Sequence, residues 1–172
     1  YLFTITGIVA IANAWNFIDG INGLSAGVAV PSLLTIGYLM RLNEQFDLSL
    51  ILIIFAFSIL GFLIVNLVTG KIFLGDLGAY TIGVLIGWSG VELVTNSNLI
   101  SSWVILFIVI YPSTELIFSF FRRLFSQKSP TSSDNLHLHS ILFFIIEKKF
   151  SLFNKLFLNS GTGILISIIA NL

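Results

Sequence analysis

The sequence contains no cysteine, and only 9% of its 172 residues are charged. The absence of cysteine excludes a disulfide framework, a thiol nucleophile and a cysteine-ligated metal site within this chain. A soluble domain carries about 25% charged residues. A chain with 56% hydrophobic residues and so little charge is therefore predicted to lie in a membrane. The formal net charge is zero, which leaves no basic surface that predicts binding to a nucleic acid.

The start of the chain also lacks the features of a signal peptide. YLFTITGIVAIANAW has no basic n-region and no small-residue cleavage site. Both ends of the chain lie in apolar runs, and the last of these is GILISIIANL. We therefore expect residues 1–172 to form a single integral-membrane domain that is part of a longer protein.

Long apolar runs predict an all-α, polytopic transmembrane helix bundle. A membrane-spanning helix needs about 20 mostly apolar residues, and lipid offers no partners to backbone groups outside a helix. Four complete spans are expected at 21–40, 48–68, 77–95 and 99–121, and two truncated ones at 1–17 and 158–172. The apolar run in 138–150 is too short to cross and predicts an interfacial or cytoplasmic helix.

Pro31 and Pro112 fall within predicted spans, where kinks are tolerated. Gly23/Gly27 and Gly83/Gly87 have the spacing of small residues that lets membrane helices approach closely.

The basic residues predict the orientation of these spans. If the spans alternate, one membrane face receives only Arg41, whereas the other receives seven basic residues. Those seven are Lys71, Arg122, Arg123, Lys128, Lys148, Lys149 and Lys155. Loops rich in lysine and arginine stay in the cytoplasm, so the seven-residue face is predicted to be cytoplasmic.

Three polar clusters fall on that same predicted face. They are NAWNFIDGINGLSAG (13–27), NLVTGKIFLGDLGAY (66–80) and SPTSSDNLHLHS (129–140). The loops on the opposite face, RLNEQFD and ELVTNSN, look like ordinary polar caps. A shared face makes the content of these clusters the best guide to function.

Asp19 and Asp76 are the sharpest candidates for chemistry, because ionisable groups at membrane depth are costly and usually functional. Each lies among glycines, which allow close backbone approach. Carboxylates in such surroundings suit Mg²⁺, which takes one or two of them and leaves its other positions to water and phosphate. The alternative is that both aspartates only cap helices.

Asparagines accompany the first aspartate. Asn13 and Asn16 are three residues apart and share a helix face, which Asp19 extends if the helix continues. Asn22 lies in the same cluster, and Asn66 ends the third span. Amides at these positions either line a polar cleft or join helices by hydrogen bonds.

His137 and His139 follow Asp134 in the third cluster. Zinc would need a third or fourth ligand, and the chain has no other histidine. The pair could instead hold a phosphate or transfer protons, or form an unremarkable polar loop. Glu115, after Pro112, is predicted to have a buried partner or to line a pore.

Four motifs in this order resemble those of the polyprenyl-phosphate sugar-1-phosphate transferases. NAWNFIDGINGLSAG is similar to their Asn-x-x-Asn-x-x-Asp-Gly-x-Asp-Gly-Leu signature, and FLIVN to their Phe-Leu-x-x-Asn. KIFLGDLGAYTIG resembles their Met/Leu-Gly-Asp-x-Gly-Ser stretch, and DNLHLHS their Asp-Arg-x-His-x-His-His motif. The family also includes the translocase that makes the first lipid intermediate of peptidoglycan, and DNLHLHS is closer to the O-antigen and enterobacterial-common-antigen branch.

The resemblance implies a bundle of ten or eleven helices in the bacterial inner membrane, of which this chain is the C-terminal portion. Its members transfer a sugar 1-phosphate, here N-acetylhexosamine 1-phosphate, from a UDP-sugar to undecaprenyl phosphate at the cytoplasmic face. They use Mg²⁺, with Mn²⁺ as an alternative ion, and release UMP. The product starts a cell-envelope polysaccharide such as O-antigen lipopolysaccharide. The resemblance is compatible with either a monomer or an oligomer.

The resemblance also assigns roles to residues. Asp76 matches the magnesium-binding aspartate and Asp19 the aspartate of the catalytic cleft, which is expected to help hold the metal. The remaining matches are expected to bind substrate: Asn13, Asn16, Asn22, Asn66, Asp134, His137 and His139.

The chain departs from the family pattern at several of these motifs. Asn22 replaces an aspartate, Ala79 a serine, Asn135 an arginine and Ser140 a histidine. The family's upstream Asp-Asp-x-x-Asp motif has no counterpart in residues 1–172. We therefore expect this stretch alone to lack part of the active site. A transporter, or a non-catalytic membrane subunit with a polar vestibule on the cytoplasmic side, is the alternative.

Overall fold

A computed structural model describes residues 1–97, 99–125 and 137–172, and all regular secondary structure in these ranges is helical. The all-α prediction is confirmed. The helices in chain order are α1 (Leu2–Phe17), α2 (Leu24–Leu42), α3 (Phe46–Thr69), α4 (Gly75–Thr95), α5 (Ser102–Ile108), α6 (Ile110–Phe125), α7 (Leu138–Lys149) and α8 (Lys155–Ala170).

Three of these helices, α2, α3 and α4, are long and apolar enough to cross a membrane. The pair α5 and α6 passes the same test only when taken together as one broken span. The predicted spans at both ends of the chain form shorter apolar helices of 16 residues each, α1 and α8. The chain is therefore a multi-pass membrane protein with three complete spans, or up to four with the bent pair.

The prediction of one continuous span at 99–121 is corrected by the structure. This part of the chain forms two helices, α5 and α6, with a bend of 72° between them. Pro112 explains the break. Proline has no N–H to donate to the carbonyl four residues earlier, at Ile108, and its ring clashes with that carbonyl. The α5 helix accordingly ends at Ile108, and Val109 serves as its C-cap. Pro31 does not interrupt α2 in this way.

The bundle is built from two main helix pairs, α2 with α3 and α1 with α4. The α8 helix packs on α2, α7 packs on α8, and α6 packs on α1. Large apolar side chains such as Trp15, Leu33 and Ile86 are fully buried between them. The outer face of α3 is equally apolar, with Ile54 and Phe57 exposed. A surface of this kind fits lipid rather than water.

Two glycines of α4 allow α1 to approach closely. A Cβ atom at Gly83 would lie 2.5 Å from the Ala12 Cα atom, and one at Gly87 would lie 3.3 Å from the Ile8 Cα atom. Gly83 and Gly87 therefore allow close helix packing, as their spacing predicted. Gly23 instead precedes α2 with a φ of +80°, so it is a turn residue, whereas Gly27 faces Ser167 of α8.

The loops gather at two opposite ends of the bundle. At one end, the Ser97 hydroxyl donates to the Asn43 side-chain oxygen at 2.7 Å, which joins the loops that follow α2 and α4. At the other end, the loop at 18–23 meets the segment at 70–74 and the start of α8. The clusters predicted at 13–27 and 66–80 therefore lie together at this second end, called here the site end.

Candidate active site at one end of the bundle

The loop between α1 and α2, residues 18–23, is tied to two neighbouring elements. Asn66 at the end of α3 accepts a hydrogen bond from the Gly23 backbone N–H at 2.6 Å. Its amide nitrogen donates to the Ile72 carbonyl at 2.6 Å. Asn66 is buried, so both ends of its side chain serve the backbone and hold the 18–23 loop beside the segment before α4.

Asn22 ties the same loop to α8. Its backbone N–H donates to the side-chain oxygen of Asn159 at 2.8 Å, and its amide nitrogen donates to the Ser160 hydroxyl at 3.3 Å. A Cβ atom at Gly163 would collide with the Asn22 carbonyl oxygen. The glycine therefore lets α8 pack directly against the loop backbone.

Asp19 and Asp76 are brought together by two crossed contacts between α1 and α4. The Asn16 amide nitrogen, near the end of α1, donates to Asp76 Oδ1 at 2.9 Å. In the opposite direction, the Gly75 backbone N–H, at the start of α4, donates to Asp19 Oδ2 at 3.0 Å. Asp76 of α4 is thus fixed by the end of α1, and Asp19 of the 18–23 loop is fixed by the start of α4.

The electrostatics of this pair favour binding of a cation. Burial raises the pKa of the Asp19 carboxyl from 3.8 to about 6. The Gly75 N–H lowers that pKa, and the negative charge of Asp76 raises it. The two negative charges repel each other, so a metal cation bound between the carboxylates would stabilise both in the ionised form.

The two carboxylates fit a magnesium ion, which needs few protein ligands, better than a metal ion whose ligands all come from the protein. Within the part of the chain that the structure describes, no three His, Cys, Asp or Glu side chains cluster. Asp19 and Asp76 supply carboxylate oxygens, the hard ligands that Mg²⁺ prefers. An ion at these two residues would take its other ligands from water and from a bound phosphate.

A cavity of about 560 Å³ opens beside these residues. That volume lies in the range of small-molecule sites. Its polar lining comprises Asn16, Asp19, His137, His139, Ser140, Lys155 and Asn159. The cavity therefore combines a carboxylate, a lysine and two imidazoles, a mixture suited to an anion that carries a metal.

The two histidines stack in parallel against the inner side of this cavity. Their ring centroids are 5.3 Å apart with an angle of 2° between the planes, and Phe17 lies 5.3 Å from the His137 ring. His137 Nδ1 is 3.0 Å from the Ser119 hydroxyl. His139 is buried and places Nδ1 2.8 Å from Glu115 Oε1.

The structure separates the predicted site residues into two groups. Asn16, Asp19, Asp76, His137 and His139 come together around the cavity and the α1–α4 contact. The other predicted residues do not line that cavity. Asn13 donates to the Val9 carbonyl of its own helix at 2.8 Å, and Asn22 and Asn66 hold loops. Asp134 lies outside the described residues.

Two cavity residues of α8, Lys155 and Asn159, were not predicted. Sequence reasoning treated Lys155 only as an orientation anchor. The available signal was spacing, since the two residues are four apart and share one face of an otherwise apolar helix. Glu115 was expected either to have a buried partner or to line a pore, and the structure shows the first, with His139 as the partner.

Comparison with known proteins gives consistent matches along most of the chain. The sequence model of glycosyl transferase family 4 matches residues 1–94. An undecaprenyl-phosphate alpha-N-acetylglucosaminyl 1-phosphate transferase of Thermotoga maritima is 34% identical over 140 residues, which is 81% of this chain and 42% of the relative. A probable undecaprenyl-phosphate N-acetylglucosaminyl 1-phosphate transferase of Bacillus subtilis is 35% identical over 144 residues, or 81% of this chain and 39% of the relative.

A more distant branch also matches. A phospho-N-acetylmuramoyl-pentapeptide-transferase of Streptococcus agalactiae is 34% identical over 106 residues, which is 62% of this chain and 30% of the relative. The chain therefore spans about two fifths or less of the length of these curated relatives.

Proposed function

The chain belongs to glycosyl transferase family 4, and on that premise we propose that the whole protein transfers a sugar 1-phosphate from a UDP-sugar to undecaprenyl phosphate. The sugar is of the N-acetylhexosamine class, as the names of the relatives suggest. The reaction takes place at the cytoplasmic face of a bacterial inner membrane and begins the synthesis of a cell-envelope polysaccharide. The rest of the active site comes from segments outside residues 1–172.

The observation that carries this proposal is the crossed contact between α1 and α4. Asn16, which holds Asp76, and Asp19, which accepts from the Gly75 N–H, both line a polar cavity of about 560 Å³. A transfer between two phosphates needs positioning and neutralisation of charge more than it needs covalent participation by the protein. Two fixed carboxylates, able to hold a metal ion, at a cavity with a polar lining are suited to that task.

The reaction balances without a proton from the protein. An oxygen of the lipid phosphate attacks the β-phosphorus of the UDP-sugar and forms a new P–O bond. The bond from that phosphorus to the oxygen bridging the α-phosphate breaks, and UMP leaves with the electron pair. The product is a diphosphate that joins the lipid to the sugar.

Asp19 and Asp76 would hold the magnesium, with manganese as an alternative ion. When bound, the ion neutralises charge on the diphosphate. Lys155 also lines the cavity, where its ammonium group forms an ion pair with Glu147 Oε1 at 3.1 Å. His137 and His139 line the same cavity, so their imidazole rings are in place to contact the bound UDP-sugar.

The test uses the full-length protein in lipid vesicles that contain undecaprenyl phosphate. We expect UMP release from UDP-N-acetylglucosamine or UDP-N-acetylgalactosamine that requires both the lipid phosphate and magnesium and that stops on chelation. A panel of other UDP-sugars identifies the donor. If no UDP-sugar yields UMP and lipid-linked sugar, the proposed activity is wrong.

A further inference from the structure

One face of α6 presents three polar side chains to the histidine pair. Tyr111, Glu115 and Ser119 are spaced four residues apart, so they form one stripe along the helix. The Tyr111 hydroxyl donates to Glu115 Oε1 at 3.1 Å, and Ser119 contacts His137. Glu115, at the centre of the stripe, is fully buried.

The Glu115 carboxylate is surrounded by hydrogen-bond donors. The backbone N–H groups of Leu138 and His139 donate to it at 3.1 and 2.9 Å, and His139 Nδ1 lies 2.8 Å from Oε1. Leu138 and His139 are the first residues of α7, and His137, the N-cap, makes no side-chain capping bond. Glu115 therefore caps α7 from a different helix, where the partial positive charge of the helix N-terminus favours an anion.

This arrangement fixes which nitrogen of His139 carries a proton. A carboxylate only accepts hydrogen bonds, so the contact at 2.8 Å requires a proton on Nδ1. The other nitrogen, Nε2, points toward Gly20, since a Cβ atom there would lie 2.8 Å from it. Gly20 follows Asp19, and both line the cavity together with His139.

We infer that Glu115 is a positioning residue, which holds His139 in the Nδ1–H tautomer and directs Nε2 into the cavity. The same contacts fix the ring plane, because the backbone and the imidazole of His139 are bound to one carboxylate. Nε2 then presents its lone pair to the cavity, where it can accept a hydrogen bond from a hydroxyl of the substrate's sugar. The assignment of that hydroxyl rests on the proposed function, whereas the tautomer does not.

Two variants separate this role from simple support of the fold. Glu115→Gln keeps one acceptor oxygen for Nδ1, whereas Glu115→Leu keeps none. Thr114→Val is the matched control, because Thr114 is exposed and its hydroxyl donates to the Ile110 carbonyl of its own helix. The full-length protein is labelled with ¹⁵N-histidine, and the His139 signals are assigned by their loss in His139→Asn.

We expect nitrogen NMR in bilayers to show a protonated Nδ1 on His139 in the unmodified protein and in Thr114→Val. Glu115→Leu should move the ring to the Nε2–H form and lower kcat about 100-fold, the scale of a lost general acid–base or hydrogen-bonding contact. Glu115→Gln should keep the tautomer and lose about tenfold or less.

A protonated Nε2 with a bare Nδ1 in the unmodified protein overturns the inference, even if no variant folds. Equal losses in Glu115→Gln and Glu115→Leu without a change of tautomer also overturn it, because they indicate support of the fold alone. If the tautomer is as expected but no UDP-sugar is turned over, the positioning role holds and the proposed function fails.

Discussion

At the scale of single residues, the site depends on contacts that link different parts of the chain. Asn16 and Asp76 are sixty positions apart in sequence and are joined by one hydrogen bond. Asp19 and the Gly75 N–H form the reciprocal bond. Removing a charge from this pair while keeping its shape therefore tests the chemistry without dismantling the contact.

Asp76→Asn is expected to lower magnesium-dependent UMP release about 10²- to 10³-fold, the scale of a lost electrostatic contact at a transition state. The variant retains an oxygen that can accept from Asn16, so the α1–α4 contact should survive. Asp47→Asn is the matched control, because Asp47 is exposed in the first turn of α3, at the opposite end. An unchanged rate in Asp76→Asn would disprove the metal assignment.

Asp19 predicts a pH dependence of magnesium affinity. Burial raises the pKa of its carboxyl to about 6, so the group is ionised above that pH and takes up a proton as the pH falls through it. A proton and a magnesium ion compete for the same oxygens. We expect affinity to be constant above about pH 7 and to weaken about tenfold per pH unit below about pH 6.

The raised pKa of Asp19 also makes the folding stability of the metal-free protein depend on pH. The folded state holds this proton more tightly than the unfolded state does, so folding is favoured as pH falls from about 6 toward 3.8. Asp19→Asn should abolish both dependences. Magnesium titrations of the full-length protein, without nucleotide, avoid interference from substrate phosphates, and an equal slope in Asp19→Asn would contradict the assignment.

At the scale of helices, the sequence predicted which segments are apolar but not how they break or what their amides bind. Pro112 fell within a predicted span, where a kink is tolerated, yet no local pattern sets the bend at 72°. Asn66 looked like a site residue, because an amide at a helix end suits either a ligand or a backbone partner. The choice depends on Gly23 and Ile72, which tertiary packing brings to it.

Gly83 and Gly61 offer a matched test of close helix approach. A Cβ atom at Gly83 would lie 2.5 Å from the Ala12 Cα atom, whereas one at Gly61 would meet nothing within 4 Å. Gly83→Ala should force α1 and α4 apart and cost about 1–3 kcal/mol. Gly61→Ala should be neutral or slightly stabilising, because alanine favours a helix.

Thermal unfolding in a single detergent compares these two variants. Since α1 carries Asn16 and α4 carries Asp76, Gly83→Ala should also reduce UMP release by the full-length protein. Equal stability of the two variants would show that α1 and α4 do not pack as described.

Asn66→Leu is expected to destabilise the site end of the bundle. Leucine has the same branched shape, with bulkier methyl groups, but leaves the Gly23 N–H and the Ile72 carbonyl without their partner, at about 1–3 kcal/mol for each group that stays buried. Ser58→Ala on the same helix is the control, because Ser58 is exposed and its hydroxyl donates to the Ile54 carbonyl of α3. Faster hydrogen exchange at the Gly23 amide in Asn66→Leu alone would support this role, and unchanged exchange would contradict it.

At the scale of the whole molecule, the sequence predicted which end of the bundle holds the candidate site better than it predicted the residues that line the cavity. Alternation of the apolar runs placed the clusters at 13–27 and 66–80 on one face, and the structure joins them there through Asn66 and Asn16. The lining from α8 was not predicted, since a polar residue in a short apolar helix gives no sign of which cavity it faces. Its contribution depends on how α8 packs against α2 and α7.

The orientation of the bundle in the membrane is the last prediction. Lys71 lies in the segment before α4, at the site end, and Asp47 lies at the opposite end. Single cysteines can report on each end, because residues 1–172 contain none, and any elsewhere in the full-length protein would be replaced. In intact cells, a maleimide that cannot cross the inner membrane should label Asp47→Cys, whereas Lys71→Cys should react only after that membrane is permeabilised. Both exposed positions should react equally in detergent, which controls for reactivity. Labelling of Lys71→Cys from outside would place the cavity on the face away from the cytoplasm and from its nucleotide sugars, and the proposed transfer would lose its donor.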